Sequence, residues 1–349
     1  MQLQAKIFWQ WARYLCRNAD PSGKTPLLLN LDETAIPVVF TQQAGTVMVG
    51  KGAGVWKSLP RQRVSKADTR LYFTHVAVIC NIPSIQPLLP QVIFLGAASI
   101  TKAQFDALKT DLPDNVFLKR MPKGWNNSDQ HREIVKLLSV ILSKLPQFQP
   151  ILCFDAAPLH LSADVLQELL SGSVNFLLVP AKMTYLLQPL DTHVFMRFKL
   201  YLKQRFVEAV LAGAPDENKT VRMVRLVIRA VRHVLQAHEW EVAFKQTGIW
   251  RDQSMVSSSI LRNLCYEELP AIDSSRPAPE LLRTLWPRNR HFHEELVMSL
   301  LPNSVSDSGR LPTAAASSSC SSSAPARSML PYTGDATARR RLRSKTSVS

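Results

Sequence analysis

Two short and nearly uninterrupted apolar runs in this chain stop at an aspartate. Residues 26–32 read Pro-Leu-Leu-Leu-Asn-Leu-Asp and end at Asp32, and residues 151–155 read Ile-Leu-Cys-Phe-Asp and end at Asp155. Apolar runs without alternation are typical of strands that are buried on both faces of a sheet. We therefore expect both aspartates at the carboxyl ends of strands, where open α/β sheets bind their ligands.

A third apolar run, at residues 174–180, is followed by a third aspartate, Asp191. An aspartate after a strand is often only a helix cap or a turn residue, so one such position alone indicates little. Three carboxylates that share one site would instead hold a divalent cation. Enzymes that act on phosphate groups commonly use such cations, bound by oxygen ligands. Asp32, Asp155 and Asp191 are therefore the candidate catalytic and metal-binding residues, and a phosphodiester is the natural substrate.

The residues around the three acids closely resemble, in order, the acid motifs of the DDE superfamily endonucleases. The segments are Asn-Leu-Asp-Glu-Thr at 30–34, Phe-Asp-Ala-Ala-Pro-Leu-His at 154–160 and Pro-x-x-x-Thr-x-x-x-Gln-Pro-Leu-Asp at 180–191. The last is the most specific of the three. The branch that they resemble is the pogo/jerky/centromere-protein-B-like group of transposases and their domesticated relatives, and the resemblance covers residues 27–251.

This resemblance implies both a fold and an activity. The fold is α/β, with an RNase H-like mixed sheet flanked by helices and a helical C-terminal extension. The three aspartates would bind two Mg²⁺ or Mn²⁺ ions. The implied function is that of a transposase-like, metal-dependent DNA endonuclease and strand transferase, which cleaves phosphodiester bonds by two-metal in-line displacement.

Two departures from the family pattern favour a different function. Ala156 follows the second acid, where many relatives carry asparagine, and the chain before Asp32 has no room for the helix-turn-helix region that relatives carry upstream. We expect either that the chain is a fragment or that its specificity for a DNA target lies elsewhere. The alternative function is a domesticated, catalytically silent nucleic-acid-binding or interaction module that keeps the fold. Cleavage of RNA in hybrids is a third function, which would use the same metal site.

Three polar residues near the acids are candidates for supporting roles. His160 would orient the loop after Asp155 or, less simply, would act on the scissile phosphate. Thr184 and Gln188 would shape the loop that delivers Asp191 or would hydrogen-bond DNA.

Two further acids are expected to lie outside the site. Glu33 should point away from Asp32, because neighbours along a strand face opposite sides of the sheet. Asp164 falls within a predicted helix.

The formal net charge of +15 favours a polyanionic partner, since Lys and Arg side chains that neutralise phosphates supply most non-specific nucleic-acid affinity. We expect this partner to be DNA. Basic candidates occur in a loop over 51–70, in a helix that begins near Asp191, and in a helical stripe after residue 216, although each is also compatible with an ordinary solvated surface. They are Arg61, Arg63, Lys66, Lys199, Lys203, Arg222, Arg225 and Arg229.

The order predicted for the domain is strand, strand, strand, helix, strand, helix, strand, helix. The chain divides into an N-terminal packing helix (1–24), an RNase H-like DDE catalytic domain (25–210), the helical C-terminal extension (211–300) and a disordered Ser/Ala- and Arg-rich tail (301–349). Scattered cysteines indicate neither a disulfide framework nor a zinc site, and no segment has the length of a membrane span. The basic cluster at 339–345 predicts a nuclear location. The sequence allows a homodimer but does not determine the oligomeric state.

Overall fold

The structure is a computed structural model that describes residues 1–18, 23–40, 71–110, 112–212 and 218–285. The predicted basic loop with Arg61, Arg63 and Lys66 lies outside the described residues. So does the tail that is predicted to be disordered.

Six strands form one sheet, in the order β4-β3-β2-β1-β5-β6. The strands are β1 (Thr25–Pro37), β2 (Tyr72–Cys80), β3 (Gln91–Gly96), β4 (Val116–Met121), β5 (Phe148–Asp155) and β6 (Asn175–Val179). Strands β1, β2 and β3 are antiparallel neighbours, whereas β5 is parallel to β1 and β6 is parallel to β5. Three antiparallel strands followed by two strands parallel to the first give the RNase H-like mixed sheet, so the predicted fold class is confirmed.

Helices flank the sheet and continue after it. They are α1 (Gln2–Asn18), α2 (Lys102–Lys109), α3 (Ser128–Leu142), α4 (Ala163–Ser171), α5 (Thr184–Leu187), α6 (Phe195–Leu211), α7 (Lys219–Ala230), α8 (Glu241–Gln246), α9 (Ser258–Asn263) and α10 (Pro279–Leu282). Among the helices of the described ranges, none combines the length and the hydropathy that crossing a bilayer requires.

The predicted element order is wrong in one place, because α2 and β4 interrupt it between β3 and α3. Helix α2 begins with a capping box, in which the side chains of Thr101 and Gln104 each bond the other residue's backbone N–H. Strand β4 is an edge strand that pairs in parallel with β3. It carries Lys119 and Arg120 among its apolar residues, so it lacks the continuous apolar run that marks β1 and β5.

Helix α1 covers part of the sheet and also contacts the residues that follow α8. The ring of Trp11 packs edge-on against Phe176 of β6, with 5.5 Å between the ring centroids. The indole N–H of the buried Trp9 donates a hydrogen bond to the carbonyl of Thr247 (3.0 Å). The next residue, Gly248, has a φ of +85°, a left-handed conformation that favours glycine. The N-terminal helix and the region after the sheet therefore share one core.

Replacing Gly248 by alanine tests this packing, and Gly23 offers a matched control. A Cβ at Gly248 would overlap the Trp9 indole, whereas a Cβ at Gly23, which has a φ of +77°, meets no atom within 4 Å. We expect Gly23→Ala to lower the free energy of unfolding by ~1–2 kcal/mol, the usual cost of a left-handed backbone. Gly248→Ala should lower it by a further ~1–3 kcal/mol from overpacking. Urea unfolding followed by tryptophan fluorescence measures both, and equal losses would contradict the packing described.

Candidate active site

The side chain of Asn30 connects the three chain segments that carry the predicted acids. Asn30 is fully buried on β1, two residues before Asp32. Its amide nitrogen donates to the carbonyl of Cys153 on β5 (3.0 Å), and its oxygen accepts from the N–H of Leu190 (2.7 Å). Cys153 precedes Asp155 by two residues, and Leu190 directly precedes Asp191. One amide therefore fixes the relative positions of all three acid-bearing segments.

The structure brings Asp32, Asp155 and Asp191 together. Asn30 lies opposite Cys153 in the parallel pair of β1 and β5, so Asp32 and Asp155 each follow that position by two residues on adjacent strands. Burial raises the pKa of Asp32 well above its usual value, and the carboxylates of Asp191, Glu33 and Asp155 raise it further. Burial also raises the pKa of Asp191, with an added contribution from Asp155. The three carboxylates therefore repel one another at short range.

Asp191 reaches this point from a helical turn rather than from a strand. It lies in the π-turn Leu190–Val194, which continues into α6, and such turns occur frequently at functional sites. A hydrogen bond from the side chain of Thr184 acts to lower the pKa of Asp191, against the larger effect of burial.

The residue that joins this turn to α5 is Gln188. Its backbone N–H donates to the Thr184 carbonyl (3.0 Å), and its carbonyl accepts from the N–H of Thr192 (3.0 Å). Its fully buried side chain has no hydrogen-bond partner among the described residues. Thr184 and the Gln188 backbone therefore shape the loop that delivers Asp191.

His160 holds Asp155 from the opposite side. Its Nδ1 lies 2.6 Å from Oδ1 of Asp155, and its Nε2 lies 3.1 Å from Oε2 of Glu33. Burial alone would lower the pKa of His160, but its hydrogen bonds to Asp155 and Glu33 outweigh burial and raise the pKa to about 10. His160 is therefore an imidazolium between two carboxylates at neutral pH. Burial acts to raise the pKa of Asp155, but the bond to His160 outweighs it, so that this pKa is lowered.

The expectation that Glu33 lies outside the site is wrong. Its carboxylate contacts His160 and His131 and also accepts a hydrogen bond from the amide of Asn126 (2.6 Å). Burial would raise the pKa of Glu33, yet the hydrogen bonds from His131 and His160 lower it. The loop after β5 brings His160 to Glu33, a contact that strand alternation cannot reveal. Asp164, by contrast, is an exposed residue in the first turn of α4, as expected.

The predicted basic residues differ in their relation to the acids. Burial lowers the pKa of Lys199 on α6, while Asp191 and Asp32 act to raise it, so this side chain lies close to both acids. Lys203, one turn further along α6, is exposed, as are Arg225 and Arg229 on α7. Arg222 on α7 is partly buried. Lys199 is thus the basic candidate that the electrostatics couple to the acids.

The donor set of the three aspartates suits a hard divalent cation. Burial and mutual repulsion disfavour the ionised form of Asp32, and the positive side chains coupled to it are His160 and Lys199. A divalent ion relieves such an accumulation of negative charge, and carboxylate oxygens are the ligands that Mg²⁺ and Mn²⁺ prefer. The residues present therefore fit the metal that the sequence resemblance implies.

The chain also matches a known protein family. The DDE superfamily endonuclease family matches residues 74–249, half of the chain, a range that includes Asp155 and Asp191. None of the curated proteins compared with the chain matches it.

The solved structures that are similar to the chain include two paired-end complexes. One is the Mos1 transposase paired-end complex with the left transposon end (14% identity, 72% of this chain and 63% of that chain, TM-score 0.34). The other is the Mos1 mariner paired end complex with Mn (12% identity, 70% and 62%, TM-score 0.33). The chain spans less than two thirds of the length of either.

Replacing Asn30 by leucine tests its role as the connection between the acids. The change leaves the buried N–H of Leu190 and the carbonyl of Cys153 without these bonds, so we expect a loss of roughly 2–5 kcal/mol of unfolding free energy. The matched control is Asn81→Leu, which removes one bond, from the N–H of Leu28 (2.7 Å), and should cost roughly 1–3 kcal/mol. In calorimetric titrations of folded protein, Asn30→Leu should also weaken Mn²⁺ binding, whereas Asn81→Leu should not. Equal Mn²⁺ affinities in both variants would contradict this role.

Asp32 and Asp155 should respond in opposite directions when each becomes asparagine. The folded-state pKa of Asp32 is raised, so its ionisation destabilises the metal-free protein above the unfolded-state pKa of about 3.9. Asp32→Asn should therefore raise the urea midpoint in EDTA at about pH 7.5 and lose this advantage near pH 3.5. The folded-state pKa of Asp155 is lowered, so its ionised carboxylate stabilises the fold at pH values above the unfolded-state pKa. Asp155→Asn should therefore lower the urea midpoint at about pH 7.5. A lower midpoint for Asp32→Asn at neutral pH would contradict the electrostatics described.

Proposed function

The chain belongs to the DDE superfamily endonucleases, and on that premise we propose that it is a transposase-like, metal-dependent nuclease of the pogo/jerky type that cleaves DNA and transfers strand ends. The observation that carries the proposal is the convergence of Asp32, Asp155 and Asp191 at the Asn30 amide. The fold holds three carboxylates close together although they repel one another. Shared binding of cations would offset this repulsion.

The reaction that fits these residues is an in-line displacement at a phosphodiester. Two divalent ions, Mg²⁺ or Mn²⁺, would polarise the phosphate and support both the attacking and the leaving oxygen. Asp32, Asp155 and Asp191 are the residues that would hold these ions. His160 bonds one oxygen of Asp155 and restricts its rotation, and the side chain of Thr184 does the same for Asp191.

DNA is the partner that the charge of the chain favours. Lys199 lies beside Asp32 and Asp191, where it is suited to bind a phosphate next to the reacting bond. Lys203, Arg225 and Arg229 are exposed and would contact phosphates further from the reaction. The Arg-rich residues 339–345, which lie outside the described residues, support a nuclear location as part of this proposal.

One observation favours the catalytically silent alternative. Ala156 packs against the core and brings no polar atom to the site, at the position where many relatives have an asparagine beside the second acid. A module that kept the fold and lost catalysis would still bind nucleic acid through its basic residues. The two functions differ in whether the aspartates are needed for bond cleavage.

A plasmid-nicking assay with Mn²⁺ separates the two functions. We expect wild-type protein to nick supercoiled DNA, and we expect Asp32→Asn, Asp155→Asn and Asp191→Asn each to lower the rate by at least ~100-fold, because each removes a metal ligand. The matched control is Asp164→Asn, which changes an exposed aspartate on α4 and should leave the rate unchanged. Circular dichroism of each variant shows whether the fold is kept.

The result that supports the silent module is equal product from wild type and from the variant with all three acids replaced. An RNA–DNA hybrid, run in parallel, distinguishes the third function. Preference for the hybrid over duplex DNA would replace the strand-transferase proposal by hybrid cleavage at the same aspartates.

A further inference from the structure

A second cluster of metal-binding side chains lies next to the three aspartates. It consists of Glu33 on β1, His131 on α3 and His160 in the loop after β5. The two histidine side chains are 3% and 1% exposed, and that of Glu33 is 19% exposed. The imidazole rings lie 4.4 Å apart between centroids. Buried histidines that face one carboxylate are a common composition for a transition-metal site.

The spacing of the ligand atoms matches such a site. Nε2 of His160 lies 3.1 Å from Oε2 of Glu33, and Nδ1 of His131 lies 3.5 Å from Oε1 of the same carboxylate. In a tetrahedral zinc site with bonds of about 2.0–2.1 Å, neighbouring ligand atoms are about 3.3 Å apart. One atom from each residue lies within 4.8 Å of the other two. An ion therefore fits among them after small side-chain rotations.

The outer contacts of the cluster also agree with metal binding. His160 directs Nδ1 to the carboxylate of Asp155 (2.6 Å) and leaves Nε2 for the cluster, which is the carboxylate–histidine–metal arrangement of many zinc sites. The amide nitrogen of Asn126 lies 2.6 Å from Oε1 of Glu33 and 3.2 Å from Nδ1 of His131. Its oxygen Oδ1 is buried with no partner among the described residues. A rotation of this amide by 180° places the oxygen beside Glu33 and His131, where it can serve as a fourth metal ligand.

We propose that Glu33, His131 and His160, with the amide oxygen of Asn126, form a transition-metal site that is distinct from the three aspartates. Two imidazole nitrogens select Zn²⁺ or a similar ion over Mg²⁺, which prefers oxygen ligands throughout. A bound ion would join β1, α3 and the loop after β5. It would also fix the ring of His160 and, through it, the carboxylate of Asp155.

Co²⁺ is a suitable probe, since its tetrahedral complexes with nitrogen ligands absorb visible light. In the presence of excess Mg²⁺, the full chain should bind one equivalent of Co²⁺ with visible absorption, and Zn²⁺ should displace it. Glu33→Gln and His131→Gln keep side-chain size but lose a ligand, so each should weaken binding on the order of 100-fold or more. Near-UV circular dichroism reports whether each variant is folded.

Two controls separate this site from its surroundings. His238→Ala removes an exposed histidine and should leave the absorption unchanged. The double variant Asp32→Asn, Asp191→Asn removes two of the catalytic acids and should also keep it, so the test is independent of nuclease activity. Absorption that is absent in the wild type, or that persists in folded His131→Gln, would overturn the proposal in favour of a metal-free hydrogen-bonded network. Absorption that disappears only in the double aspartate variant would assign the ion to the aspartates and equally overturn it.

Discussion

The arrangement of this site depends on one buried amide. Carboxylates cannot hold one another together, because their charges repel and burial strengthens the repulsion. Asn30 supplies what they lack, since its amide nitrogen bonds β5 and its oxygen bonds the turn that contains Asp191. It is the only polar residue inside the apolar run 27–31, and a buried polar side chain in a strand has to be paired. The apolar strand β1 therefore contains one polar residue because that residue holds the three acid-bearing segments together.

The charges around this amide fall into two groups. Asp155 and Glu33 share the imidazolium of His160. Its hydrogen bonds, together with one from His131 to Glu33, hold the pKa of both carboxyls below its usual value. The pKa values of Asp32 and Asp191 are raised, chiefly by burial, with the half-buried Lys199 as a nearby cation. Hydrogen bonds therefore stabilise the ionised form of the first group, whereas burial disfavours the ionised form of the second group. A divalent ion bound by the aspartates would stabilise the ionised forms of Asp32 and Asp191.

The sequence predicts most of the sheet because burial leaves a local pattern. Strands β1, β5 and β6 are visible as apolar runs, and Asp32 and Asp155 are predictable because the runs stop there. The charged edge strand β4 gives no such pattern, although the Thr101 and Gln104 capping box is a signal from which α2 was predictable. The contacts of Glu33 with His131 and His160 join residues 98 and 127 positions apart and have no local signature. Long-range polar contacts of this kind follow from the folded topology and cannot be found by periodicity.

His160 makes the two clusters interdependent. Its two ring nitrogens face Asp155 and Glu33, so a change in what Nε2 bonds alters the hydrogen bond that orients Asp155. An ion at Glu33 and His131 would replace the proton on Nε2 and would keep positive charge beside Asp155, while its own charge would repel ions held by the aspartates. The fixed orientation of Asp155 would favour ion binding at the aspartates when the ion at Glu33 and His131 is bound, whereas the repulsion between the ions would oppose it. By linkage, each site changes the affinity of the other by the same factor. The sign of that coupling is decided by whichever effect is larger, and the rigid, buried ring of His160 is the element through which both act.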